Sequence, residues 1–200
     1  MAEARLVLAS ASPRRRELLN QLGVSYRCDP ARIDEAQLAS ESPTDYVQRM
    51  ALEKARTVVA RYRGLEVVVL AADTTVVIDN NVLGKPRDHL DALSILARLS
   101  GRSHRVLTAV YLLGVADTQC ALVETEVEFM SLDREVCEAY LATEEPWDKA
   151  GAYAIQGLAG AFVRSIHGSY SNVVGLPLCE TWQLLRDAGL ATGLNPATSA

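Results

Sequence analysis

Four stretches of this 200-residue chain gather residue types that could hold an anion and move a proton. The first is Ser10-Ala11-Ser12-Pro13-Arg14-Arg15. It follows a short apolar run and precedes an apolar-periodic one, so it reads as a strand-to-helix junction. Unpaired amides and the positive end of a helix dipole favour anions at such a junction. Two hydroxyls add donors, and two guanidinium forks match phosphate geometry. A capped surface helix with solvated arginines would show the same residues. The pattern G-x-x-x-x-G-K-[ST] occurs nowhere, so this is not a Walker loop. The second stretch ends in Asp73, directly after Glu66-Val67-Val68-Val69-Leu70-Ala71-Ala72. A carboxylate at the end of a buried strand sits where α/β folds commonly place ligands. It could bind a hard divalent cation or take a proton from water; alternatively it caps the next turn. The third is Leu83-Gly84-Lys85-Pro86, a stiff turn that presents Lys85 as a point charge for phosphate or as an exposed hairpin lysine. The fourth runs from Glu144 to Gly157 and concentrates acids, Lys149, an amide and small residues without periodicity. Loops of that composition often carry function, and Gln156 offers both a donor and an acceptor to a base edge. A solvated loop with an Asp148/Lys149 pair is the plainer reading. Gly168-Ser169-Tyr170-Ser171-Asn172, leading into Val173 to Pro177, reads as a structural turn before the last helix.

The elements that must position these groups follow from hydrophobic period and punctuation. A strand is predicted over residues 5–9 and a helix from Pro13 to near Gly23, with Ser12 as N-cap. A second strand is predicted over 25–28, followed by an acidic loop over 29–41. Ser42-Pro43 with Asp45 starts a helix whose apolar positions, Val47, Met50, Ala51, Ala55, Val58 and Val59, recur to about Tyr62. The β-branched run 66–72 predicts a strand buried on both faces. Residues 74–78 and 82–83 read as a hairpin around Asp79-Asn80-Asn81. A helix over 88–99 leads to an antiparallel pair, 105–115 and 121–130, separated by the polar residues 116–120. A helix over 133–143, a loop-rich segment over 144–175 with one strand at 161–166, and a helix over 178–188 complete the chain. Residues 1–191 read as a single domain and 192–200 as a frayed, disordered tail. Alternating strands and helices with a hairpin pair predict an α/β fold with a mixed central sheet.

Composition narrows the partners. The net charge of -5 lacks the basic excess of a protein that grips nucleic acid along its phosphates, so no nucleic-acid partner is expected. Cys28, Cys120, Cys137 and Cys179, and His89, His104 and His167, are too dispersed for a zinc site or a disulfide framework. There is no signal-peptide pattern and no apolar run of membrane-spanning length, so the expectation is a cytoplasmic protein with no membrane partner.

Seven motifs occur in order: ASASPRRRELL, YVQRMALEKA, LAADTTVV, LGKP, LSGRSHRVLTAV, EPWDKAGAYAIQG and GSYSNVVGLPL. Together, over about Leu6 to Leu185, they closely resemble the Maf family of nucleotide pyrophosphatases, once called septum formation proteins. The resemblance implies a two-lobed α/β fold similar to that of the inosine triphosphate pyrophosphatases, with the site in a cleft. It implies release of a nucleoside monophosphate and pyrophosphate with Mg²⁺ or Mn²⁺, and a possible homodimer. Asp73 falls at the family's proposed general base; Ser10, Arg14, Arg15, Lys54 and Lys85 match its substrate-binding positions; Glu35 is a second candidate acid, and with Asp73 a candidate metal ligand. Arg14, Thr74 and Gln156 stand where the branches of the family differ, and all three look like the dTTP/UTP type. A neutral amide suits a uracil or thymine edge, whereas a carboxylate suits the cationic base of 7-methyl-GTP. The implied activity is hydrolysis of dTTP and UTP, with modified pyrimidine nucleotides, 7-methyl-GTP hydrolysis or a non-catalytic role in cell division as the alternatives.

Overall fold

The computed structural model describes residues 5–114 and 117–195. One seven-stranded sheet organises them, in the order β2-β1-β3-β5-β6-β7, with β4 also paired to β3. The strands are β1 (Leu6–Leu8), β2 (Tyr26–Cys28), β3 (Val68–Ile78), β4 (Asn81–Leu83), β5 (Ser103–Leu113), β6 (Thr118–Phe129) and β7 (Val163–His167). The helices are α1 (Pro13–Gln21), α2 (Pro43–Val59), α3 (His89–Leu99), α4 (Arg134–Leu141), α5 (Tyr170–Val174) and α6 (Leu178–Asp187). β1 runs parallel to β2 and β3, whereas the β3–β5–β6–β7 ladder and the β3–β4 hairpin are antiparallel. The sheet is therefore mixed, as expected of this α/β chain. No helix of the described residues is long and apolar enough to cross a membrane.

The period of two along β3 assigns its faces. Ala71 and Val77 pack beneath α2, against Ala55, Val58, Val47 and Ala51. On the opposite face the core divides into two. Leu70 and Ala72 join Leu18 and Leu19 of α1 and Leu185 of α6. Val76 and Ile78 join Leu96 and Leu99 of α3, Tyr140 of α4, and an aromatic cluster of Phe129, Tyr153 and Phe162. Thr74 lies between these two cores on the same face as Ala72 and Val76, so a polar residue marks their division.

The continuity of β3 corrects one expectation. Residues 66–72 and 74–78 read as separate strands, with Asp73 at the end of the first. They form one eleven-residue strand, and Asp73 lies in its middle, paired with Ala109 of β5. The opposite edge of β3 is shared by two short strands: β1 pairs with Val68 to Leu70, and β4 with Val76 to Ile78. Residues 71–75 therefore have a strand neighbour on the β5 side only. The sheet is split there, and the split does what a strand end would do.

Two further differences are local. Residues 168–177 read in the sequence as a turn; they contain the short helix α5, capped by Ser169 Oγ accepting from Asn172 N at 3.2 Å. The segment expected to fray is anchored at its start, where Gly193 N donates to Leu22 O at 2.8 Å and Thr192 is buried. Residues 196–200 lie outside the described residues, as do Val115 and Ala116 at the predicted β5–β6 turn.

Candidate active site

The gap in the sheet opens into a cleft of ≈ 650 Å³. Ser10, Arg14, Arg15, Glu35, Lys54, Asp73, Thr74, Lys85 and Gln156 all line it. Chain segments leaving the gap supply several of them, while Glu35, Lys54 and Gln156 reach in from the loop after β2, from α2 and from the segment after α4. Ser10 follows β1, Lys85 follows β4, and Asp73 and Thr74 come from β3 itself, on opposite faces.

The start of α1 shows how the sequence shapes one wall. Ser12 caps the helix, its Oγ accepting from Arg15 N at 3.4 Å, and Pro13 occupies the first turn. Helix α2 begins the same way, with Ser42, Pro43 and Asp45, and the acids Asp91, Glu135 and Glu180 open α3, α4 and α6. Alone among these five, α1 has no acid in its first turn and carries Arg14, Arg15 and Arg16 instead. Each cation there opposes the helix dipole by about 0.3–1 kcal/mol. A bound anion would remove that conflict.

Arg15 makes three side-chain hydrogen bonds. Its Nε donates to Gly175 O at 2.8 Å, and its terminal nitrogens donate to Ser10 Oγ at 3.4 Å and Thr74 Oγ1 at 3.1 Å. Every one of these acceptors is neutral. Burial pushes the guanidinium below its ordinary value, with Asp73 acting the other way, yet an arginine remains charged. Its positive charge is thus fixed in place without a directly bonded carboxylate.

On the α2 face, Lys54 Nζ donates to Asp73 Oδ1 at 2.6 Å and forms an ion pair with Glu35 Oε1 at 2.7 Å. Glu35 reaches this point because its loop is pinned to α2. Tyr46 Oη donates to Glu35 O at 3.0 Å, and Arg49 donates to Ala36 O and to both oxygens of Glu41. Burial disfavours the charge on Glu35, but the Lys54 hydrogen bond and charge, then Lys85 and Arg15, hold its carboxyl below the usual range. Asp73 Oδ2 has no protein hydrogen-bond partner among the described residues and is not sealed from solvent.

The opposite wall is the segment after α4. Gly151, at φ 73°, lies against Val76, where a Cβ would come within 2.9 Å of that side chain, and its N–H donates to Gly84 O at 3.0 Å. This close approach brings Asp148, Lys149 and Gln156 to the cleft beside Lys85. Asp148 pairs with Lys149 and, at 3.5 Å, with Arg14 across the cleft. Lys85 and Gln156 form no hydrogen bond or ion pair among the described residues.

Tyr46, Asp148, Lys149 and Tyr153 also line the cleft and were not singled out by sequence reasoning as site residues. Tyr46 had a signal: it precedes Lys54 by eight residues, with Met50 between, on one helical face. Burial, then the charges of Asp73 and Glu35, push its phenol up to about 12. Asp148 and Lys149 lie in the loop 144–157 that composition marked, but nothing distinguished them within it, since neighbouring opposite charges in a loop look alike whether they border a site or solvent.

These features define a mixed α/β protein with a sheet-borne carboxylate in a cleft that also holds Arg14, Arg15, Lys54, Lys85 and Lys149, a setting for a small polyanion. Sequence comparison narrows the class. The family described as Maf-like protein matches residues 5–188, and the chain belongs to that family. It is 50% identical over 94% of its length to a Methylobacillus flagellatus protein named dTTP/UTP pyrophosphatase, covering 94% of that protein. Proteins of the same name from Anaeromyxobacter dehalogenans (strain 2CP-C; 56% identical) and Symbiobacterium thermophilum (51% identical) each match 92% of this chain and are themselves 94% covered. A crystal structure of protein VC0702 from Vibrio cholerae aligns over 70% of each chain with TM-score 0.35 and 11% identity, too distant to bear on the site.

Proposed function

We propose that this chain is a nucleoside triphosphate pyrophosphatase that hydrolyses dTTP and UTP to the monophosphate and pyrophosphate, acting in the cytoplasm. The reading is carried by one observation: Asp73 stands in the sheet gap with one oxygen on Lys54 and the other open, in the cleft shared with Arg14, Arg15 and Lys85. The names borne by its relatives agree with it.

In this mechanism Arg14, Arg15, Lys54 and Lys85 hold the triphosphate. Phosphoryl transfer depends mainly on positioning and charge stabilisation, so fixed cations around a carboxylate supply what the reaction needs. Asp73 Oδ2 takes a proton from the attacking water as the new oxygen–phosphorus bond forms at the α phosphorus. The bond to the β-phosphate oxygen breaks, and pyrophosphate leaves with the electron pair. Lys54 keeps Asp73 oriented throughout. Gln156, Thr74 and Arg14 set the base preference, Gln156 through the complementarity of a neutral amide with the uracil or thymine edge.

Asp73 and Glu35 converge on one ammonium, and no group of three His, Cys, Asp or Glu side chains among the described residues is set to hold a metal unaided. Two carboxylates, completed by substrate phosphates and water, suit Mg²⁺, which is commonly bound in that way, and Mn²⁺, which takes the same oxygen donors. When bound, the ion would neutralise phosphate charge and polarise the phosphoryl group.

The test is a nucleotide panel with Mg²⁺ or Mn²⁺ and identification of both products. Monophosphate and pyrophosphate from UTP and dTTP are expected. Nucleotide binding without turnover, or release of orthophosphate, would refute the assignment.

A further inference from the structure

Behind the cleft a series of side chains joins Thr74 to Asn172, in the segment that the sequence suggested was only a turn; Thr108, Thr125 and Asn172 have no part in the mechanism above. Thr74 Oγ1, which accepts from Arg15, lies 3.0 Å from Thr108 Oγ1. Thr108 Oγ1 in turn donates to Asn172 O at 3.0 Å. Asn172 is fixed by its own amide, which donates to Val106 O at 3.0 Å and to Thr125 Oγ1 at 2.9 Å. Thr108, Thr125 and Asn172 are all wholly buried.

Each hydroxyl has one proton, and that decides the direction of the chain. The carbonyl of Asn172 is enclosed and needs a donor, and Thr108 is the one placed to satisfy it. With its proton given to Asn172, Thr108 can only accept from Thr74. Thr74 has then committed its own proton inward, and toward the cleft it is an acceptor. The alternative, with Thr74 donating to Gly175 O, has a 3.5 Å separation and leaves the 3.0 Å Thr74–Thr108 contact without a proton, unless Thr108 turns its own to Thr74 and abandons Asn172 O. Gly175 O already receives Arg15 Nε at 2.8 Å.

We propose that Thr108 and Asn172 are positioning residues for Arg15, acting through Thr74. The α5 segment holds the guanidinium from two sides: directly through Gly175 O, and through the directed series Asn172–Thr108–Thr74. Gly175 contributes because at φ 126° it adopts a backbone conformation closed to most side chains. Thr74 therefore influences substrate choice by orienting Arg15 and by presenting an acceptor; it has no proton to offer a ligand. This inference rests on the proposed triphosphate site, so its test is arranged to separate the two.

The probe is inorganic tripolyphosphate, titrated calorimetrically into the full-length protein. Thr108→Val keeps the shape and removes the hydroxyl; its dissociation constant should rise about 5–10-fold, the equivalent of one neutral hydrogen bond. Thr108→Ser should restore it to within about 2-fold. In an Arg15→Ala background the same Thr108→Val change should alter affinity by less than about 2-fold, because its effect passes through Arg15. An equal loss in both backgrounds, no loss in either, or no recovery with serine in a folded protein overturns the proposal. Turnover of UTP by the unmodified chain is measured separately and judges the proposed function alone.

Discussion

The two walls of the cleft are built on different principles. On the α1–β3 side, Arg15 is held by a carbonyl and two hydroxyls, and Lys54 bridges Glu35 and Asp73, so each cation has a fixed direction. On the side of residues 148–156, Lys85 and Gln156 are exposed and unpartnered among the described residues, while Asp148 and Lys149 satisfy one another. A rigid wall suits the part of a substrate that is always the same and must be aligned for attack, namely the phosphates. The exposed Gln156 suits the part that varies, the base, while Lys85 beside it adds a point charge to the phosphate grip. On the proposed function, the comparison means that preorganisation is concentrated where charge develops in the transition state.

The largest effect should come from the rigid wall. Asp73→Asn preserves shape and removes basicity, and turnover of UTP should fall by ~10²-fold or more with nucleotide binding largely kept. Steady-state rates and a binding isotherm on the purified variant check this. Near-normal turnover would remove Asp73 from the chemistry and leave the rigid wall as a phosphate grip alone.

A second prediction concerns what anchors the exposed wall. Tyr153 borders the cleft and its hydroxyl lies 2.9 Å from His104 Nε2, within the Phe129 cluster. His104 Nδ1 is buried without a partner among the described residues, and burial lowers the imidazole pKa to about 4 from 6.5. Between those values the unfolded chain binds a proton that the folded chain refuses. Stability should therefore decline as pH falls from about 6.5 and level off near 4, with a contribution of order 3 kcal/mol. In His104→Gln, which retains a polar partner for Tyr153, that part of the slope should vanish. Denaturant titrations across the window test it, and an unchanged slope would show that folding does not shift the His104 pKa.

How far the sequence could be read divides along the same line. Lys54 entered only by its match to a family motif, because a lone lysine in an amphipathic helix has no spacing that marks it. Asp73 could be singled out because a carboxylate after a β-branched run is conspicuous, but its true setting could not. Nothing within residues 66–78 records that β1 and β4 each cover only three positions of β3, since pairing is a property of distant segments. The helix starts at Ser12 and Ser42 were legible because capping is local. Helix α5 was not, because five residues give too little period, and it is held by bonds to Thr125 and Val106, far away in sequence. Asp148's reach to Arg14 was equally hidden.

Substitution on the exposed wall should change preference more than rate. Gln156→Glu replaces a group that donates and accepts with one that only accepts. The ratio of kcat/KM for UTP or dTTP over that for 7-methyl-GTP should fall by about 10-fold, the scale of one altered polar contact. Parallel assays on the three nucleotides decide it. An unchanged ratio would mean that Gln156 does not face the base, and the division of labour between the walls would need another carrier.

The smallest effect should arise where the walls touch. Asp148 is 63% exposed, yet its carboxyl is held below the usual range; burial opposes the charge, and Lys149, then Arg14, outweigh it. An incoming triphosphate must take Arg14 from that carboxylate. Asp148→Asn leaves the shape and frees it, so KM for UTP should drop by about 2–3-fold at low ionic strength, consistent with the small worth of exposed pairs. Because such pairs are screened over ~8 Å at physiological salt, the two proteins should converge as salt is raised. A rise in KM instead would mean that Asp148 orients Arg14 for the substrate, placing this bridge with the rigid wall and moving the boundary between the two.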